Sequence, residues 1–99
     1  MGGPTPLDLT YFGAMTNFAD QLAAAVRAKG NPVLVGLDPR VAQLPEALRP
    51  RDANDSAAVA KSYGEFCRGV IDVVAPLVAV VKPQSAFFEE LGPDGVAVL

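Results

Sequence analysis

Two short apolar runs in this 99-residue chain end alike. One, Val33-Leu-Val-Gly-Leu37, stops at Asp38-Pro39; the other, Val78-Ala-Val-Val81, stops at Lys82-Pro83. Proline has no N–H to give to a sheet, and it holds the residue before it extended. Asp38 and Lys82 are therefore expected at the carboxyl ends of two strands. If the strands are neighbours, about 4.8 Å separates their backbones, and opposite charges come within reach across one mouth. In α/β barrels and open α/β sheets, that end is where ligands bind. The spacing alone leaves two readings open. An Asp38–Lys82 ion pair closes the strand ends, or a carboxylate and an ammonium together hold a substrate. Asp38 is also a common type of turn residue ahead of proline.

The other residue types narrow the chemistry. There is no histidine, so Ser-His-Asp, Cys-His and His-ligated metal chemistry are absent from this segment. One cysteine, Cys67, excludes an intrachain disulfide and fits a reducing compartment. It falls on an apolar helical stripe and reads as a buried structural thiol. Glu89 and Glu90 resemble a carboxylate dyad, but adjacent residues point different ways and make no shared site. The net charge is −3, and the eight basic residues are scattered without a run, which argues against a nucleic-acid partner. No apolar run approaches the ~18–20 residues of a membrane span. Met1-Gly-Gly-Pro-Thr-Pro6 lacks the basic and apolar regions of a secretory signal. It also has proline where a myristoylation signal needs serine or threonine. These readings point to a cytoplasmic protein.

The elements that must carry Asp38 and Lys82 follow from patterning. Hydrophobic residues make up 51% of the chain, which argues for a folded polypeptide. Residues 1–16 read as a leader, and residues 17–99 as part of one structured domain. Asn17 caps a helix running to about Lys29, with Phe18, Leu22 and Val26 as its apolar stripe and Gly30 as its stop. The first strand, 33–37, is apolar at successive positions, so both its faces are expected to be buried. Residues 39–55 read as a loop with one helical turn near 46–48. Asp55 or Ser56 caps a helix to about Val74, with the stripe Val59, Tyr63, Phe66, Val70, Val74 joined by Cys67 and Ile71. The second strand is expected at 78–81. Residues 84–91 read as a loop or short turn that Phe87 and Phe88 pack down, and Gly92-Pro93-Asp94 opens a third helix. Two buried strands joined by a helical crossover make a parallel βαβ unit of the α/β class. Two parallel strands alone leave both edges open and much apolar surface bare, so these residues read as an incomplete α/β protein.

The stretch Val80-Val-Lys-Pro-Gln-Ser-Ala-Phe-Phe-Glu89, with Gly92 and Gly95-Val-Ala-Val-Leu99 after it, closely resembles the second-strand segment of bacterial type 2 orotidine 5′-phosphate decarboxylases. Val35-Gly-Leu-Asp-Pro39 is similar to the first-strand segment of the same family, as are Phe18-Ala-Asp-Gln-Leu22 and the region of Phe66 and Cys67. The resemblance implies a (β/α)₈ TIM barrel of which this chain is an N-terminal portion, inactive alone. It implies a carboxy-lyase that converts orotidine 5′-monophosphate to UMP and carbon dioxide, the last step of pyrimidine nucleotide biosynthesis. It also implies a homodimer that uses no metal and no organic cofactor. By position, Asp38 matches the first-strand aspartate that hydrogen-bonds substrate near the ribose. Lys82 matches the first lysine of a Lys-Asp-Lys-Asp charge network, contacting ribose hydroxyls and holding a neighbouring carboxylate. The rest of that network, Asp-x-Lys-x-x-Asp, is not present in these residues. Its lysine protonates the carbanion-like C6, and the phosphate grip comes from later loops.

Two alternatives stand beside this reading, one within enzymes and one from another class. Sugar-phosphate decarboxylases and aldolases of the same barrel superfamily share the first-strand aspartate. They usually carry glutamate where Lys82 stands, so Lys82 and the Pro-Gln after it argue against them. A small non-catalytic α/β module that binds a partner through its bare sheet edge suits the length but gives no purpose to the Asp38 and Lys82 placement.

Overall fold

The protein's structure is a computed structural model that describes residues 17–99. The expected leader, 1–16, lies outside the described residues. Helix α1 spans Phe18–Lys29. Asn17 stands extended before it and accepts a hydrogen bond from the Asp20 N–H at 2.9 Å, answering a donor that the first turn leaves without a partner. Gly30 ends the helix in the left-handed region, φ 76°, and its N–H reaches the Val26 carbonyl at 2.9 Å, a conformation glycine adopts without strain. None of α1 is buried, and Phe18 is 71% exposed. The other two residues of its stripe, Leu22 and Val26, are half-buried.

Strands β1 (Leu34–Leu37) and β2 (Val80–Pro83) pair in parallel, with Leu34 opposite Val80, Gly36 opposite Lys82 and Leu37 opposite Pro83. The expected second strand lay two residues earlier. Val78 is taken by the turn before it: the Leu77 and Val78 N–H groups both bond the Val74 carbonyl, at 2.8 and 3.1 Å. Pro83 is tolerated because alternate N–H groups of a strand point to opposite edges. Gln84 donates to the Leu37 carbonyl at 3.0 Å, so the donor-less nitrogen of Pro83 falls on the edge away from β1. At the other end of the strands, Asn31 joins the exit of α1 to the approach to β2. Its Nδ2 donates to the Leu77 carbonyl at 3.0 Å, and its Oδ1 accepts from the Val33 N–H at 3.0 Å.

The crossover is α2, Ser56–Val74, capped by the Asp55 side chain on the Ala58 N–H. Its inner face buries Val59, Ala60, Tyr63, Gly64 and Cys67. These join Leu37, Leu44 and Phe88 in one core on the helix side of the sheet. The expectation that both sheet faces are buried is not met: Leu37 is 3% exposed, whereas Leu34 is 50% exposed. A strand alternates its side chains, and among the described residues helices cover one face only.

The loop from 39 to 55 holds two 3₁₀ turns, Val41–Gln43 and Glu46–Leu48, where one was expected. Pro39 and Leu44 anchor it by burial, and Arg49 Nε donates to the Leu44 carbonyl at 2.9 Å. After β2, the segment read as a loop or short turn is a five-residue helix, α3, Ser85–Glu89. Helix α4, Pro93–Val98, follows Gly92, with proline in its first turn. A Cβ on Gly95 would fall onto the Phe88 carbonyl oxygen and 2.8 Å from the Leu91 Cβ. Glycine there is what lets α4 close on α3.

Candidate active site

β1 ends at Leu37, and Asp38 is the next residue. A Cβ built on Gly36 would lie 3.8 Å from Asp38 Oδ1, so the carboxylate turns onto the face that Gly36 would use. Lys82 is the register partner of Gly36, and cross-strand partners share a face. Gln84, two residues on, has the same parity. Asp38, Lys82 and Gln84 therefore share the face turned away from α2, and all three are exposed.

The two charges do not stand level. Lys82 lies inside the ladder, not beyond it, which corrects the expectation that it stops the strand. It sits opposite Gly36, two residues below Asp38. From the strand spacing and rise, their backbones are roughly 8 Å apart on the diagonal. Among the described residues no ion pair joins them. The closed salt bridge that the spacing allowed is not formed. A free carboxylate acceptor and a free ammonium donor on one open face suit a ligand rich in hydroxyls, each group exchanging water for a charge-assisted hydrogen bond.

Packing behind the face fixes the two loops that leave the strands. Phe88 of α3 is 2% exposed and meets the Tyr63 ring edge-on, with centroids 5.9 Å apart and planes at 78°. The Val41 backbone lies near the Tyr63 hydroxyl and acts to lower its pKa. Phe87, half-buried, carries the Arg40 guanidinium over its ring, 4.9 Å from the centroid. The expectation that the two Phe pack this segment down holds. Arg40 and Tyr63 were not identified from sequence as part of the surroundings of the site. Arg40 stands in a loop without period, and Tyr63 reads as one more residue of a core stripe.

Two titrating groups lie in that packing. Burial raises the Tyr63 hydroxyl, the nearby Val41 backbone opposes this, and the charge of Glu90 adds to the rise. Burial raises the Cys67 thiol against the lowering effect of Arg68, so Cys67 is a protonated core thiol. Glu89 and Glu90 are both exposed, as expected of a solvated face. Among the described residues no three His, Cys, Asp or Glu side chains converge as a metal-binding group, and no helix is long and apolar enough to cross a membrane. A cavity of about 180 Å³ opens on the helix side, lined by Leu37, Cys67, Ile71, Pro83 and Phe88 among others. Its lining is mainly apolar, with Arg68 at one side, and it lies across the sheet from Asp38 and Lys82.

Sequence comparison gives the chain its relatives. It is 50% identical over 86 residues to the orotidine 5′-phosphate decarboxylase of Rhodopirellula baltica. It is 40% and 42% identical over 85 residues to the enzymes so named in Nocardioides sp. and Streptomyces coelicolor. Each match takes in 86% of the chain but 28% of the relative. A stretch of that length in a chain of 99 leaves so few residues over that Asp38 and Lys82 fall inside it. No family model matches the chain, and no solved structure does.

Proposed function

We propose that this chain is part of an orotidine 5′-phosphate decarboxylase of the bacterial type 2 subfamily, with residues 17–99 forming a portion of its single (β/α)₈ barrel. The observation that carries the reading is the 50% identity over 86 residues to a decarboxylase, within a stretch that holds both Asp38 and Lys82. The parallel βαβ arrangement supports it, because strand–helix–strand with all strands parallel is the repeating unit of such a barrel. In a closed barrel the face away from the helices is the interior, and the carboxyl ends of the strands form the mouth. Asp38 and Lys82 share that face.

The parent protein is then a carboxy-lyase that takes orotidine 5′-monophosphate to UMP and carbon dioxide. Asp38 accepts a hydrogen bond from a substrate hydroxyl near the ribose. Lys82 donates to ribose hydroxyls and holds in place a carboxylate from the missing part of the network. Loss of carbon dioxide leaves negative charge at C6, and fixed cations placed where charge develops lower the barrier. The group that protonates C6 belongs to the Asp-x-Lys-x-x-Asp segment, which this sequence does not contain. The parent enzyme is expected to be a cytoplasmic homodimer needing no metal or organic cofactor, and this chain alone to be inactive.

The test is to express the full-length protein that carries this segment and follow UMP formation from orotidine 5′-monophosphate. Lys82→Ala should lower kcat/KM by about 10²–10³-fold, and the 99-residue chain should show no turnover. A full-length wild type that folds but does not decarboxylate this nucleotide would sink the reading.

A further inference from the structure

We propose that Arg40 is a positioning residue that acts through Phe87 to hold Asp38 at its working distance from Lys82; this rests on the decarboxylase reading above. Arg40 lies two residues beyond Asp38, and Phe87 five beyond Lys82. The guanidinium over the Phe87 ring, 4.9 Å from its centroid, ties the loop leaving one strand to the helix leaving the other.

The contact is one of two converging ties. α3 turns consecutive aromatics in different directions. Phe88 goes inward to Tyr63, its ring edge-on at 5.9 Å, and the Val41 backbone lies near the Tyr63 hydroxyl. Phe87, half-buried at the edge of the same core, carries Arg40 over its ring. Arg40 is thus tied to α3 directly, while Val41 beside it lies near the Tyr63 that packs on Phe88. Below them, the Gln84 N–H on the Leu37 carbonyl, 3.0 Å, fixes the strand ends themselves. Asp38 is the first residue above that last rung. Pro39, next along, is fully buried. The carboxylate is then hung between the rung and the Arg40 latch. Asp38 and Lys82 have no bond to each other, so their spacing depends on these ties.

The experiment measures the steady-state kinetics of Arg40→Met, Arg40→Lys, Phe87→Leu and the Met/Leu double variant in the full-length protein, with orotidine 5′-monophosphate, alongside thermal unfolding. Arg40→Met and Phe87→Leu should each lower kcat/KM about tenfold, with KM raised and kcat lowered together, because small misplacements of a positioned group weaken catalysis steeply. The double variant should fall about tenfold and not a hundredfold, because each change already breaks the same contact. Arg40→Lys keeps a cation over the ring and should recover most of the loss, and it remains readable if the Met variant folds poorly. Singles within twofold of wild type, losses that multiply in the double variant, a Lys variant no better than Met, or losses that track a lowered unfolding midpoint would each overturn the latch while leaving the functional reading intact. An inactive wild type would overturn both.

Discussion

Gly36 stands opposite Lys82 in the β1–β2 ladder, so the residue beside the ammonium has no side chain. A Cβ there would already approach Asp38 Oδ1 to 3.8 Å. The space above Gly36 is the gap between the two charges. Valine at this position suits a strand but occupies that gap. Gly36→Val in the full-length protein should leave the unfolding midpoint unchanged or raised. It should weaken binding of UMP at least tenfold, about 1.4 kcal/mol, as read by calorimetric titration. Unchanged UMP affinity would mean the gap is not where the nucleotide lies.

Gly95 makes a contrasting case, because its constraint is mechanical. With a Cβ placed against the Phe88 carbonyl and 2.8 Å from the Leu91 Cβ, Gly95→Ala forces α3 and α4 apart. Overpacking of this kind destabilises by about 1–3 kcal/mol. Urea unfolding should show that loss in the midpoint, and Phe88 should gain exposure. Retained stability would show that α4 can shift without disturbing its neighbours.

Alkaline pH should weaken the fold through two buried acids. Tyr63 and Cys67 are both raised, chiefly by burial, from ordinary values of 10.0 and 9.0. In the unfolded chain they lose their protons first, so the unfolded state binds fewer protons and stability falls as pH rises. The contribution is intact below about pH 9, begins to fall as pH climbs past the unfolded values, and is gone once the folded groups ionise. Unfolding free energy measured from pH 7 to pH 11 should decline over that range. The Cys67→Ala and Tyr63→Phe double variant should flatten the decline. An equal slope in the variant would place the sensitivity elsewhere.

Asn31 is predicted to matter more than its polar, loop-like setting suggests. It joins the turn after α1 to the carbonyl of Leu77 and to the N–H of Val33. Asn31→Ala removes these two bonds, together with the longer one from Nδ2 to the Lys29 carbonyl at 3.3 Å, at a loss of about 1 kcal/mol each. Hydrogen exchange should quicken at Val33 and at the start of β2, with the far end of the ladder, near Gln84, unaffected. Uniform quickening would point to global loss instead.

Local chemistry made the helices legible. Asn17, Gly30 and Asp55 each satisfy or end a backbone pattern within a few residues, and all three stand where the sequence implied. The pairing of strands carrying Asp38 and Lys82 was legible for the same reason, from apolar runs ending at Pro39 and Pro83. Their levels were not. The start of β2 depends on how many N–H groups the end of α2 captures, and the captured Leu77 and Val78 carry no sequence sign of it. Helix α3 escaped because Phe87 and Phe88 are adjacent and set no helical period. The one-sided burial of β1 escaped because an unbroken apolar run fits a strand with either one or two covered faces. The Arg40–Phe87 contact joins residues far apart in the chain, and only the fold brings them together.

The donor-less nitrogen of Pro83 sets a condition on anything that pairs beside β2. A strand laid along that outer edge finds an ordinary rung at Val81, but at Pro83 its carbonyl meets no hydrogen. That oxygen must turn to water or to a side chain, and the two backbones are then free to diverge just beyond Lys82. A missing proton at one backbone atom thereby marks where a sheet built on this edge begins to flare, and it does so beside the charged end of Lys82.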